Sequence, residues 1–498
     1  MQWLSQRNSW ISRLLRHWAV RVGFAMGAMA LVIWLGWSAP AVAVTARHYD
    51  ELTFPPLGDV EIPAFERYEL DNGLVVYLME DHELPLVQGS VTFNTGSRFD
   101  PPGQVGLASL VGDAMRLGGT ESHSSDELNR LLEQRAASVE TGIDTNSGNA
   151  GFNCLTEDLP VVFGLFSEVV RQPAFETDKL TLLKNQNRGA IARRNDDPDD
   201  ITRREFRKLV YGTQSPYARV IEYDTLNAID REDMLAFYRA SVRPERTILS
   251  IVGDFDPGTM KALIAEQFGD WSPPASDAID FDLPTVDQAQ TGVFLVNQPQ
   301  LTQSSIQIGH LGGQLNNPNH GSLAVLNEVL NGFGGRLFNE LRSRQGLAYV
   351  VYAFWAPRYD HPGTFIGGGQ TRSDATVPFI QAFMDEIDKV RAEPISAAEL
   401  QAAKDAVLNS FVFNFQSPEQ TLSRLIRYEY YDYPADFVFQ FREDVENVTA
   451  AGVLQAAQEN LKPEQIVTLV VGNADEIQPP LSQLGPDVTV TQVDISIP

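Results

Sequence analysis

Cysteine and histidine are scarce in this chain of 498 residues. Its one cysteine, Cys154, excludes an intrachain disulfide, so the fold has to depend on its packed core. Cys154 lies in the alternating stretch SGNAGFNCL, which predicts a buried apolar position rather than a reactive thiol. The histidines beyond the N-terminal segment are His48, His82, His123, His310, His320 and His361. Since no two of them lie within five residues of each other, a local zinc motif is absent, and we expect surface or loop positions for them.

Other catalytic and nucleotide-binding motifs are missing as well. The sequence has no G-x-S-x-G turn, no P-loop and no G-x-G-x-x-G after a strand. Basic residues are outnumbered, 38 Lys and Arg against 65 Asp and Glu, which gives a formal net charge of −27. This charge disfavours a nucleic-acid partner and favours cationic peptides, although acidity alone also keeps a protein soluble. The acidic residues around Pro198 indicate a solvated turn at the end of a helix.

The N-terminal segment differs from the rest of the chain. A basic start without acidic residues precedes the apolar run Val22–Trp37 and the small-residue stretch SAPAVA. This order predicts a signal peptide over residues 1–43 and export to the periplasm or an equivalent compartment. The alternative is a retained membrane anchor, which would be the chain's only membrane contact. The apolar run has 16 residues, fewer than the roughly 20 that span a bilayer, so we favour cleavage.

The remaining chain repeats one plan twice. Residues 228–254 align without a gap on residues 447–473, with Pro244 against Pro463 and Gly253 against Gly472. Such self-similarity indicates an ancient duplication. It predicts two homologous domains, 44–271 and 293–498, joined by a linker at 272–292 that is rich in Pro, Asp and Ser.

Each copy combines alternating apolar stretches with helical ones. In the first copy, Asn72-Gly73 between alternating runs predicts a hairpin, and Ser124 with Glu127 predicts the start of a helix. We expect an α+β fold in which each half is a mainly antiparallel sheet with helices on one face. Two such halves on a linker would form a clamshell.

One segment carries a family resemblance. GLASLVGDAMRLGGT (residues 106–120) resembles the segment of insulinase/pitrilysin-like zinc peptidases that contains the inverted His-x-x-Glu-His motif. On that pattern Ser109 and Asp113 replace the two histidines, and Gly112 replaces the glutamate that activates water. The third zinc ligand, a glutamate on a later helix, is replaced by Arg194. The resemblance therefore implies a degenerate zinc motif, with no metal or other cofactor bound by this chain.

A second segment resembles the same family, and in this segment the family's motif is intact. GFGGRLFNELRSRQGLAYVVY (residues 332–352) resembles the C-terminal-half segment whose Arg and Tyr, seven residues apart, reach a zinc site. Here these residues are Arg342 and Tyr349, and the resemblance implies that they bind the substrate carbonyl and the oxyanion. The alternative is that Arg342 is a salt-bridged helix residue and Tyr349 a core residue of a strand.

In this family some bacterial peptidases consist of two chains, one of which binds zinc while the other supplies the Arg and Tyr. The resemblance implies the second kind: a subunit that completes the site of a zinc-binding homologous partner and acts on peptides with it. The alternative function is that of an inactive scaffold or peptide-binding protein of the same fold. Whether the chain counts as an enzyme therefore depends on a partner.

Overall fold

Two sheets of matching topology organise the chain. The computed structural model describes residues 62–272 and 283–498. The predicted signal peptide, His48 and much of the predicted linker therefore lie outside the described residues. None of the helices in the described ranges is long and apolar enough to span a membrane.

The first sheet has six strands with helices packed on one face. Its strands are β1 (Glu66–Glu69), β2 (Val75–Glu80), β3 (Leu86–Phe93), β4 (Ser138–Ile143), β5 (Gly148–Leu155) and β6 (Thr247–Gly253). The accompanying helices are α1 (Leu107–Leu117), α2 (Ser125–Glu133), α3 (Leu159–Arg171), α4 (Thr177–Arg193), α5 (Pro198–Tyr211), α6 (Tyr223–Ala228), α7 (Arg231–Ser241) and α8 (Pro257–Phe268). The strand order is β1-β2-β6-β3-β5-β4, and only β2 and β6 pair in parallel. The predicted hairpin joins β1 to β2, with Gly73 at a φ of 87°.

The second sheet repeats this arrangement except at one outer strand, which comes from the end of the chain and pairs in parallel instead of antiparallel. Its strands are β7 (Gly292–Asn297), β8 (Gln303–Leu311), β9 (Ala348–Ala356), β10 (Thr364–Arg372), β11 (Val467–Gly472) and β12 (Val490–Gln492). Its helices are α9 (His320–Asn331), α10 (Thr376–Ala392), α11 (Ala397–Ser410), α12 (Pro418–Tyr430), α13 (Phe437–Glu446) and α14 (Ala450–Asn460). The order β12-β7-β11-β8-β10-β9 places β6 and β11, the strands of the aligned repeat, at the same position in their sheets. The prediction of two homologous α+β halves is confirmed.

In each half, one helix packs on the sheet of the other half. We call these two helices, α5 and α12, the exchanged helices. Helix α5 packs on the second sheet, where Ile201, Phe206 and Val210 join Phe294 and Leu469 in one buried cluster. Helix α12 packs in the same way on the first sheet, on strands β2 and β6. The two helices begin at Pro198 and Pro418, so the exchange follows the internal repeat. The open face of each sheet is thereby covered partly by the other half.

Polar contacts accompany the exchanged helices. The carboxylate of Asp199 accepts hydrogen bonds from Ser305 Oγ at 2.6 Å and Gln370 Nε2 at 2.7 Å, both in the second half. In the opposite direction, Arg67 pairs with Glu429 of α12 at 2.6 Å. The acidic stretch around Pro198 is therefore more than a solvated turn at a helix end, because it begins the exchanged helix and bonds across the junction.

Two single-residue predictions have clear outcomes. Cys154 is buried, as predicted, and burial raises the pKa of its thiol to about 12. The prediction of surface or loop positions is wrong for His310, which is 0% exposed and lies in a strand, whereas His361 lies in a loop but is only 6% exposed. His310 lies in β8, where Nδ1 donates to the carbonyl of Leu311 and Nε2 accepts from the amide of Lys462. Burial lowers the pKa of His310 to about 4, so the ring is a neutral core residue.

Candidate functional site

Helix α1 presents the degenerate zinc motif next to the edge of the first sheet. The helix begins after Gly106, which has a φ of 106°. The carboxylate of Asp100 accepts the amides of Gly106 at 2.7 Å and Ala108 at 2.8 Å, which satisfies free donors at the helix start. Burial raises the pKa of Asp100 to about 6. From this anchor α1 packs against the edge strand β4.

Gly112 marks the closest approach of α1 to β4. A Cβ atom at this position would lie 2.3 Å from the backbone nitrogen of Ile143 and 2.7 Å from the carbonyl carbon of Gly142. The carbonyl of Gly112 also accepts the hydroxyl of Thr141 at 2.6 Å. The position that aligns with the water-activating glutamate therefore has no room for any side chain.

The positions aligned with the zinc ligands hold residues of other chemistry. Ser109 is half-buried on α1, and Asp113 lies one turn further at an exposed position. Arg194 follows α4, which packs against α1, so the topology does bring the degenerate positions near one another. The guanidinium of Arg194 pairs with Glu222 at 2.7 Å and donates to the carbonyl of Ile221 at 3.3 Å.

These residues do not fit a catalytic zinc ion. A guanidinium stands at one ligand position, and the backbone of β4 fills the space of the base. Across residues 62–272 and 283–498, no group of three or more His, Cys, Asp or Glu side chains is arranged to hold a metal ion. The arrangement around α1 can serve the fold, but it supplies no metal-activated water.

The second sequence-predicted pair lies in the other half. Arg342 belongs to a π-helical segment, Phe338–Arg344, and Tyr349 lies at the start of the edge strand β9. The Cζ atom of Arg342 lies 4.5 Å from the ring centroid of Tyr349 and 4.8 Å from that of Phe338. The structure thus brings Arg342 and Tyr349 into direct contact, and the cation stacks on both rings.

A β-bulge determines how Tyr349 is presented. Gly369 and Thr371 of β10 pair with Val351 and Ala348, so β9 contains one extra residue over this interval. Tyr349 and Val350 are both exposed, at 76% and 54%, although neighbouring residues of a regular strand point to opposite faces. Bulges re-aim side chains in this way and are frequent next to functional sites. Nothing in the sequence pattern located this bulge.

Neither side chain of the pair has a hydrogen-bond or ion-pair partner among the described residues. Within the described residues, the Arg342 guanidinium makes no ion pair or hydrogen bond, and its contacts are the two rings. The hydroxyl of Tyr349 likewise has no hydrogen-bond partner among those residues. The arrangement can therefore donate hydrogen bonds to an external acceptor. Phe333 lies in the glycine-rich loop just before the Phe338–Arg344 segment, and its side chain is fully exposed.

Two family models match the chain. Residues 75–216 match the family described as Insulinase (Peptidase family M16), and residues 228–407 match the Peptidase M16 inactive domain. The first range includes α1 with Ser109, Gly112 and Asp113, and the second includes Arg342 and Tyr349. Together the two ranges cover more than half of the chain.

Individual relatives agree with this assignment. The uncharacterized zinc protease YmxG of Bacillus subtilis is 22% identical over 361 residues, which cover 72% of this chain and 86% of that protein. The non-peptidase homolog YmxG of Helicobacter pylori is 20% identical over 401 residues, or 76% of this chain and 87% of that one. The crystal structure of a peptidase M16 inactive domain from Pseudomonas fluorescens matches with a TM-score of 0.74 at 22% identity. The match covers 86% of this chain and 100% of the Pseudomonas chain. That structure establishes likeness of fold. This chain belongs to the insulinase family, peptidase family M16, as a member that lacks the family's zinc ligands.

Proposed function

We propose that this chain is the non-zinc-binding subunit of a two-chain peptidase and supplies Arg342 and Tyr349 to the zinc site of a homologous partner. The observation that carries the proposal is the pair itself. Tyr349 is 76% exposed and Arg342 is half-buried, the two side chains lie in contact, and neither has an acceptor among the described residues. A surface salt bridge would have paired Arg342 with a carboxylate, and no such pair exists among the described residues.

The chemistry of the two side chains suits a peptide substrate. A guanidinium and a phenol both donate hydrogen bonds, and a carbonyl under attack by water develops negative charge on its oxygen. Because Arg342 stacks on Tyr349, the two donors are oriented before a substrate arrives. The metal and the base that activate water would belong to the partner chain.

Exposed apolar side chains near the pair support an interface. Phe333, Val350 and Phe354 are all more than 40% exposed, and Phe333 lies in a glycine-rich loop. Exposed apolar groups of this kind mark sites where another protein binds. We propose that the partner covers this surface, and that the two chains together enclose the peptide. Export is part of the proposal and depends on the N-terminal segment.

A second candidate function is an inactive scaffold or peptide-binding protein. It is favoured by the loss of the zinc motif at Gly112 and Arg194 and by the similarity to a protein described as a non-peptidase homolog. The two candidates differ in one respect: only the subunit role requires the Tyr349 hydroxyl.

The Tyr349→Phe substitution tests this requirement. It keeps the ring that Arg342 contacts and removes one donor, so we expect turnover by the assembled pair to fall on the order of 10²-fold. Assembly, measured by size-exclusion chromatography with the partner, should be unchanged.

Tyr352→Phe is the matched control, because Tyr352 lies on the same strand and its hydroxyl already accepts from Gln307 at 3.2 Å. We expect this control to keep full turnover. If Tyr349→Phe also keeps it while the pair stays assembled, the catalytic role is refuted and the scaffold remains.

A further inference from the structure

Two adjoining pockets lie at the junction between the halves. One has a volume of about 350 Å³ and the other about 340 Å³, and residues such as Asp144, Arg358 and His361 line both. Their walls come from the exchanged helix α5, from the turn between β4 and β5, and from the loop between β9 and β10. A ligand here would contact both halves at once.

The carboxylates of these pockets are already engaged. Asp360 pairs with Arg98 at 2.5 Å and accepts from Nδ1 of His361 at 2.8 Å. Asp144 accepts the backbone amides of Asn146 at 2.7 Å and Ser147 at 2.9 Å within its own turn. Among the described residues neither acid forms an ion pair with the remaining arginines, although Asp144 uses only Oδ1 for the bonds in its turn.

Those arginines are Arg207, Arg358 and Arg427, and none of them forms an ion pair with a described residue. Partial burial and the guanidinium of Arg358 both lower the pKa of Arg207, so two like charges lie close together. Arginines without an ion-pair partner are unexpected in this chain, because its 65 acidic residues outnumber its 38 basic ones. Arg207 and Arg358 line one pocket together, and Arg207 also donates to the carbonyl of Tyr217. An anion between these two guanidinium groups would supply the missing charge.

A buried hydroxyl in the same pocket has no acceptor. Tyr217 is 2% exposed, and its ring stacks on His361 with centroids 3.8 Å apart and planes at 10°. No acceptor for the proton of this hydroxyl lies among the described residues, although the guanidinium of Arg98 lies close enough to donate to its oxygen. Burial raises the pKa of Tyr217 although Arg98 lies nearby, so the hydroxyl keeps its proton. A buried donor without an acceptor is unfavourable, and an anion in the pocket would supply the acceptor.

We propose that an oxyanion of the carboxylate or phosphate type binds at this junction, held by Arg207, Arg358 and the hydroxyl of Tyr217. Guanidinium groups and a phenol are matched donors for such a ligand. The site is separate from the Arg342–Tyr349 pair, because Tyr349 lies near the start of β9 and Ala356, at the other end, is roughly 23 Å from it at the rise of a strand. Arg358 lies beyond that end. The proposal therefore stands or falls independently of the proposed peptidase role.

Calorimetric titration of the full chain tests the proposal, with two kinds of probe at matched ionic strength. One is inorganic phosphate. The other is acetyl-trialanine with a free C-terminal carboxylate, compared with the same peptide as its amide. We expect binding of one equivalent of phosphate, and binding of the free-acid peptide only if a peptide end is the natural source. Arg358→Gln and Arg207→Gln should each weaken binding about tenfold or more, the loss of one charge-assisted hydrogen bond.

Two further variants keep the test decisive. Arg372→Gln removes an exposed arginine that pairs with Asp374 outside both pockets, and it should leave binding unchanged. Arg358→Lys keeps the charge and should retain most of the affinity even if Arg358→Gln unfolds.

The two probes distinguish the source of the anion. Phosphate binding without binding of the free-acid peptide assigns a free anion to the site, and binding of both assigns a peptide end. The proposal would be overturned if neither probe bound. It would also be overturned if the Arg358→Gln and Arg207→Gln variants bound the probe as tightly as the unsubstituted chain does.

Discussion

At the scale of single residues, Gly112 separates this chain from a zinc peptidase more firmly than the missing histidines do. A missing ligand can be restored by one substitution, whereas the space at Gly112 is occupied by the backbone of Gly142 and Ile143. Restoring His, Glu and His on α1 would therefore not rebuild the site. Arg194 adds a second obstacle, because its guanidinium holds Glu222.

Gly112→Ala tests this contact. Alanine normally stabilises a helix interior by up to about 1 kcal/mol over glycine. At Gly112 we expect the opposite sign, a loss of about 1–3 kcal/mol in the free energy of unfolding, because the methyl group would collide with β4. The matched control is Gly189→Ala in α4, where a Cβ meets nothing within 4 Å and the usual stabilisation should appear. Urea denaturation measures both, and equal gains at the two glycines would contradict the account.

At the scale of elements, α5 and α12 decide how the halves hold together. Each helix fills an apolar cluster on the opposite sheet, so most of its burial depends on the other half. Leu422 is 1% exposed in the cluster between α12 and the first sheet. We expect Leu422→Ala to cost about 2–5 kcal/mol, and Gln420→Ala, an exposed position on the same helix, to cost little. Because α12 belongs to the second half, the loss should lower the midpoint of one common unfolding transition. If the two halves unfolded in separate transitions, the claim that α5 and α12 hold the halves together would be refuted.

The sequence predicted these elements better than it predicted their contacts. The turn at Asn72-Gly73 and the gapless repeat depend on local chemistry and spacing, so hairpin, duplication and fold class could be read directly. The exchange of helices could not, since an amphipathic helix does not indicate which sheet it covers. The same limit explains His310 and His361, whose burial depends on partners distant in sequence. The bulge at Tyr349 likewise depends on the register between β9 and β10, which periodicity alone did not predict.

At the scale of the whole molecule, the chain is a two-half member of the insulinase family that lacks the family's zinc ligands, while Arg342 and the exposed Tyr349 have no polar partner among the described residues. The pair is at the edge of the second sheet and the degenerate motif at the edge of the first, both next to edge strands. A net charge of −27 would concentrate cationic peptides near such a surface, increasingly so at low ionic strength. These properties are the basis of our proposal that the chain acts together with a zinc-binding partner.

The most direct test is peptide cleavage by the chain purified gently from its native host, beside the same chain produced alone. We predict chelator-sensitive cleavage of a mixed peptide library in the native preparation only, and a strong reduction by Arg342→Ala. Arg344→Ala is the control in the same segment, because Arg344 is exposed and pairs only with Glu340 among the described residues, and it should retain activity. Cleavage by the chain alone, or native activity that Arg342→Ala leaves intact, would contradict the shared-site account.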